Sequence, residues 1–127
     1  MNKKITLFAI FFICTSIIFG AFGAHALKSI LSVDKLASFE TGVKYQMYSG
    51  LALLVLGLSA KIISPSKLFF NLNIIGIFLF SFSIYLLCLH DFIAIPKMAL
   101  IPLTPIGGVL LIVSWVQLFI SLWKNKQ

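Results

Sequence analysis

Charge is scarce in this chain. Only 10% of its 127 residues are charged, and the acids number three, Asp34, Glu40 and Asp91. The rest is 61% hydrophobic with thirteen Phe, and mean hydropathy is +1.11. A soluble domain averages about 45–50% apolar residues, so an ordinary soluble fold is excluded, and a surface this apolar is stable with lipid as its solvent. The length bounds the chain to one domain, 1–127. Cysteine is scarce too. Cys14 lies in the middle of the first apolar run and Cys88 near the end of the third, at different depths, which excludes disulfide geometry. Both are expected to be buried small hydrophobes.

Further absences narrow the function. The ten basic residues are lysines placed singly or in pairs at the ends of apolar runs, so there is no basic face for nucleic acid. No G-x-S-x-G nucleophile motif occurs, and the chain is not read as an enzyme. His25, His90, Asp91 and Glu40 are acceptable metal-ligand types but include no close-spaced ligand pair, so no metal or cofactor is implied. No internal repeat suggests transporter-type duplication.

What is present is four apolar runs, about 5–24, 45–63, 68–90 and 105–123. Each approaches the roughly 20 residues that cross about 30 Å of hydrocarbon, and each must be helical because lipid offers backbone amides no partner. Asn2-Lys3-Lys4 and Ala24-His25-Ala26 imitate a signal peptide with its cleavage site. The first run is long for that role and is read as a retained helix. Ser64-Pro65-Ser66 should end the second helix, and Thr104-Pro105 reads as an N-cap followed by proline at the first helical position. Trp123 with Lys124 and Lys126 forms an interfacial anchor. Residues 33–44 read as a short amphipathic helix before the second span, either separate from it or continuous with it, lying partly among headgroups.

With the N-terminus inside, six lysines (3, 4, 61, 67, 124, 126) face in and four (28, 35, 44, 97) face out. The positive-inside rule then gives a multi-pass protein of the cell (inner or plasma) membrane with both termini cytoplasmic. All three acids and both histidines fall on the outer side.

Lipid supplies no hydrophobic drive between helices, so contacts should follow small residues. Helical spacing groups Ala9, Ser16, Gly20 and Ala24; Gly42, Ser49, Gly57 and Ala60; Asn73, Gly76 and Ser83, continuing to His90; and Gly107, Ser114 and Ser121. The economical arrangement is an all-α, antiparallel four-helix membrane bundle. Gln46 falls on the second stripe and should point into the bundle. Glu40 and Lys44 fall nearly opposite, in the order that favours an interfacial ion pair. Tyr45 and Tyr48 read as an aromatic belt.

The blocks GAFGAHALK (20–28), FETGVKYQMY (39–48), FSFSIYLL (80–87) and LTPIGG (103–108) resemble the YgdD-like small integral membrane proteins. These are domain-of-unknown-function family four-two-three, also called uncharacterised protein family zero-three-eight-two. The resemblance implies a four-span membrane protein and transfers no catalytic residue. Two positions depart from the family pattern: Ser49 stands where a histidine is expected, and Phe82 where a small residue is expected.

The resulting expectation is a structural or interaction bundle, homo-oligomeric, that binds lipid headgroups, a small ligand or a membrane partner. The site is an outer cap in which His25 packs against Thr104, Gly107 and Gly108, with Gln46 and Tyr45 close by. His25 itself has two readings, a proton-handling imidazole or an interfacial side chain bonded to a carbonyl. The other functional class is a small-solute or proton-linked translocation unit, with His25, Gln46 and Tyr45 lining its path. That class lacks ionisable groups at mid-depth.

Overall fold

The computed structural model describes residues 1–125, so Lys126 of the proposed C-terminal anchor lies outside the described residues. Four long helical stretches carry the fold. Helix α1 is Lys3–Ala24 and α2 is Val33–Leu58. Helix α3 (Lys67–Ile77) passes through a π-helical segment, Phe78–Phe82, into α4 (Ser83–Cys88). A short α5 (Lys97–Leu100) precedes α6 (Leu103–Lys124).

Three of these helices start on polar caps, whose side-chain oxygens satisfy one of the donors a helix leaves unpaired at its first turn. Asn2 Oδ1 accepts from the Ile5 amide at 3.2 Å, Ser32 Oγ from Lys35 at 3.3 Å, and Ser66 Oγ from Phe69 at 3.0 Å. Helix α6 differs from its expected start. It begins at Leu103, before Thr104, because the Thr104 hydroxyl bonds Ser83 Oγ at 2.6 Å instead of capping the backbone. Pro105 is tolerated as the third residue because the first-turn amides have no helical acceptor.

Two further boundaries are placed by the structure. Residues 33–44 are continuous with the second span: no proline interrupts the segment, and α2 runs unbroken for 26 residues. It also ends at Leu58, with Ser59 accepting from the Ile62 and Ile63 amides in a turn before Pro65. Among the described residues three stretches are long and apolar enough to cross a membrane: Lys3–Ala24, Lys67–Cys88 and Lys97–Lys124. Helix α2 has the length, but Glu40, Lys44 and Gln46 dilute its first half.

Small residues do set the contacts. At one end of the α1–α2 pair the Asn2 amide donates to Gly57 O at 2.7 Å, and a Cβ on Gly57 would lie 3.0 Å from Thr6 N. At the other end Gly23 rests on the Phe39 ring, so the two helices run in opposite directions. Helices α3 and α6 pair through Ser66–Gln117, Asn73–Ser114 and Gly76 against Leu111, with Ser83–Thr104 continuing the contact along α4. Asn73 is fully buried; its Nδ2 donates to Ser114 Oγ at 2.9 Å while its Oδ1 has no partner.

Most stripe residues are buried, among them Ala9, Ser16, Gly42, Ser49, Gly57, Asn73, Gly76, Ser83, Gly107 and Ser114. Gly20, Ala60, Ser121 and His90 are only partly covered, and Ala24 is exposed because Gly23 makes the contact in its place. Cys88 is buried as expected, whereas Cys14 is exposed on the outward face of α1.

The π segment joins the two pairs. One extra residue per turn there turns Ser81 inward, and its hydroxyl donates to Gly42 O at 2.9 Å. On its other side Gly107 of α6 fits only because it lacks a side chain, since a Cβ would sit 2.7 Å from the Leu79 carbonyl carbon.

Candidate functional site

Gln46 occupies the centre of the bundle and is fully buried. Its amide nitrogen donates to Phe12 O at 3.0 Å and to Thr15 Oγ1 at 2.6 Å, and its Oε1 accepts from Tyr85 Oη at 2.7 Å. Both amide hydrogens and the oxygen are thus used within the protein. Gln46 is a tie between α1, α2 and α4, with no donor left for a ligand.

The chemistry that remains open lies at the acid-bearing end, in a cavity of about 520 Å³. Helix α2 contributes Asp34, Lys35, Ser38 and Thr41; Lys97 comes from α5 and Thr104 from α6. Ile84, Leu87 and Cys88 of α4 form an apolar floor. Lys35 Nζ lies 2.6 Å from Asp91 Oδ2, and His90 Nδ1 lies 3.1 Å from the other oxygen. The hydrogen bond from Lys35, together with its charge, holds the Asp91 carboxyl below the usual carboxylate range. Lys35 is fixed from behind as well, because its carbonyl accepts from Cys88 Sγ at 3.2 Å.

Deeper between α2 and α6 a second cavity, of about 720 Å³, is lined by Tyr45, Tyr48, Phe80, Gly108 and Trp115. Tyr45 packs edge-on against Tyr48, with centroids 5.9 Å apart, and against Phe80 at 5.2 Å.

The expected outer cap therefore divides. Thr104 belongs to the polar cavity, and Tyr45 and Gly108 to the deeper groove. Gly107 is buried against Leu79 and Phe80, and Gln46 is enclosed in its own network. His25 joins none of them. It is exposed, in a shallow hollow with Ile18, Ala21, Phe22 and Ala26. The cause is the pairing order: α1 packs on α2 and α6 on α3, so the end of α1 does not reach the start of α6. His25, Gln46 and Tyr45 consequently face three different surroundings.

The Glu40–Lys44 ion pair does not form; among the described residues the lysine–carboxylate ion pair is Lys35–Asp91. Both Glu40 and Lys44 are exposed. The about 0.2–0.5 kcal/mol of such a pair is smaller than the entropy, up to about 2 kcal/mol, of fixing a lysine side chain. Among the described residues no three His, Cys, Asp or Glu side chains converge as a metal site.

Asp34, Lys35, Ser38, Thr41 and Lys97 were not foreseen as site residues. A signal existed in the polar positions 34, 38 and 41, which recur at helical spacing and line one face of α2.

The comparisons with known proteins bear on the family and on the membrane setting. The family model for DUF423, described as a protein of unknown function, matches residues 19–108. A UPF0382 membrane protein of Haemophilus influenzae is 36% identical over 127 residues, covering 98% of this chain and 97% of the relative. One from Staphylococcus saprophyticus is 42% identical over 106 residues, 83% of this chain and 84% of its own. No solved structure matches the chain. A family match over most of the chain, joined to a relative aligned nearly end to end, places this chain in the DUF423 family.

Proposed function

We propose that this protein is a four-span, antiparallel transmembrane bundle that binds a lipid headgroup in the cavity at its acid-bearing end. Helix α2 serves as the fourth span: at 1.5 Å per residue its 26 residues reach about 39 Å, more than the roughly 30 Å of hydrocarbon. Its first two turns, with Asp34, Lys35 and Glu40, then lie in the headgroup layer, where charge costs little, and the Lys44 side chain reaches back toward it. The lysine distribution favours cytoplasmic termini and an outward-facing cavity.

The observation that carries the reading is the make-up of the cavity. An ammonium (Lys97), a carboxylate (Asp34) and the hydroxyls of Ser38, Thr41 and Thr104 surround an apolar floor at one end of the bundle. A headgroup brings a phosphate, neighbouring polar groups and a glycerol backbone to that depth. Hydrogen bonds to charged groups contribute about 1.5–3 kcal/mol each, so loss of Lys97 should weaken binding at least about tenfold. Native mass spectrometry of the detergent-purified protein tests this. Wild type should carry bound phospholipid, and Lys97→Ala, changing an exposed side chain outside the core, should lose most of it. Equal retention by both would reject the reading.

A further inference from the structure

Resting on that reading, we infer that the polar cavity and the α2–α6 groove are one site for a single aminophospholipid, its head between Lys97 and Asp34 and one acyl chain along the groove.

The first ground is continuity. On α2 the residues lining the two cavities include, with Lys35 and Ser49 at the edge, Asp34, Ser38 and Thr41, then Tyr45, Tyr48 and Ala52. Their spacings of four and three place all six on one face of the helix. Across the gap Ile101 and Thr104 lead in the same way to Gly108, Leu111 and Trp115. The floor is shared as well, with Ile84 below the polar part and Phe80, one turn earlier, below the apolar part. The crevice passes from charge to hydrocarbon without changing walls.

The second ground is length. From Thr41 to Ala52 the crevice rises about 16 Å along α2, half of the roughly 30 Å hydrocarbon thickness. That is the depth of one leaflet, hence of one acyl chain whose head sits at the polar end. Gly108 keeps the groove open, because a side chain there would project beside the Phe80 ring.

The third ground is charge. Lys35 is already engaged by Asp91, whereas neither Lys97 nor Asp34 has an ion-pair partner among the described residues. A cation and an anion on opposite walls match a zwitterion, with phosphate toward Lys97 and ammonium toward Asp34. A primary ammonium can donate hydrogen bonds to Asp34; a quaternary ammonium cannot, and a glycerol head brings no positive charge.

The test uses the full-length protein in nanodiscs, titrated with phosphatidylethanolamine, phosphatidylcholine and phosphatidylglycerol and read by native mass spectrometry. Phosphatidylethanolamine should bind about tenfold more tightly than the other two, the contribution of one charge-assisted contact, and Asp34→Asn should erase that preference. Gly108→Leu should cut retention of all three lipids, because its Cβ is sterically admissible, 3.6 Å from Phe80, and its branches fill the groove. Water-soluble glycerophosphoethanolamine should still bind Gly108→Leu and fail to bind Lys97→Ala. Equal affinity for the three lipids would overturn the inference and leave the headgroup reading standing. Retention of no phospholipid by wild type would overturn both. A changed oligomeric mass in Gly108→Leu with lipid retention intact would assign the groove to a second copy of the chain and overturn the inference.

Discussion

The phenol of Tyr85 donates to Oε1 of Gln46 across 2.7 Å, tying α4 to α2 where both side chains are buried. Gln46→Leu would strand that hydroxyl, and an unpaired buried polar group costs about 1–3 kcal/mol. Thermal unfolding in detergent should show Gln46→Leu destabilised by about that amount, with Tyr85→Phe added to it restoring part of the loss. Interhelical hydrogen bonds in bilayers average about 0.6 kcal/mol and reach about 1.7, so coupling in the double-mutant cycle should fall in that range. Strict additivity would deny that the two side chains meet.

Gly20 and Gly107 should part company. From the small-residue pattern both are contact points of equal weight. In the structure a Cβ on Gly107 collides with the backbone of Leu79 and Phe80, which cannot move aside, whereas one on Gly20 meets the Val43 side chain at an ordinary 3.5 Å. Gly107→Ala should therefore lower yield and thermal stability severely, and Gly20→Ala should be nearly silent. Size-exclusion profiles of the two variants that coincide would contradict this packing.

The Lys35–Asp91 contact predicts a pH dependence with a definite sign. Because Lys35 depresses the Asp91 pKa in the folded state, the carboxylate contributes stability above its unfolded pKa. That contribution disappears as pH falls through the lower, folded value. Melting temperature should drop as pH is lowered through and below the ordinary carboxylate range, and Asp91→Asn should lack that part of the drop. The pair is exposed, so high salt should shrink the difference between the two proteins.

Orientation is testable with single cysteines introduced after Cys14 and Cys88 are replaced. With both termini cytoplasmic, an impermeant maleimide added to intact cells should label Lys97→Cys and spare Ser66→Cys. The opposite pattern would place the polar cavity on the cytoplasmic side.

Helices α1 and α6 were legible almost residue by residue, because an uninterrupted apolar run in lipid has one solution. Gln46 was legible as an inward side chain from its place among Gly42, Ser49 and Gly57. The partners of the helices were not. The cap expectation joined His25 to Thr104 and Gly107, because residues sharing one side of a membrane look adjacent when only depth is known. Which helix packs on which depends on lateral order, and no periodicity along the chain records that. Ser81 was missed for a different reason. A uniform 100° step from Asn73 to His90 places it off the contact face, and only the widened turn at Phe78–Phe82 brings it to Gly42.

That widened turn makes the number of residues between Asn73 and Tyr85 a specified quantity. Removing any one of the five from Phe78 to Phe82 would leave every other residue unchanged. It would also rotate α4 by about 100° against α3, one residue's share of a helical turn. Asn73 could keep Ser114, but Tyr85 would swing off Gln46 and the floor of the polar cavity would turn away from Thr41. The two ends of the molecule are held in phase by counting, much as a reading frame is, and a single-residue deletion here should be more damaging than most substitutions within the same five positions.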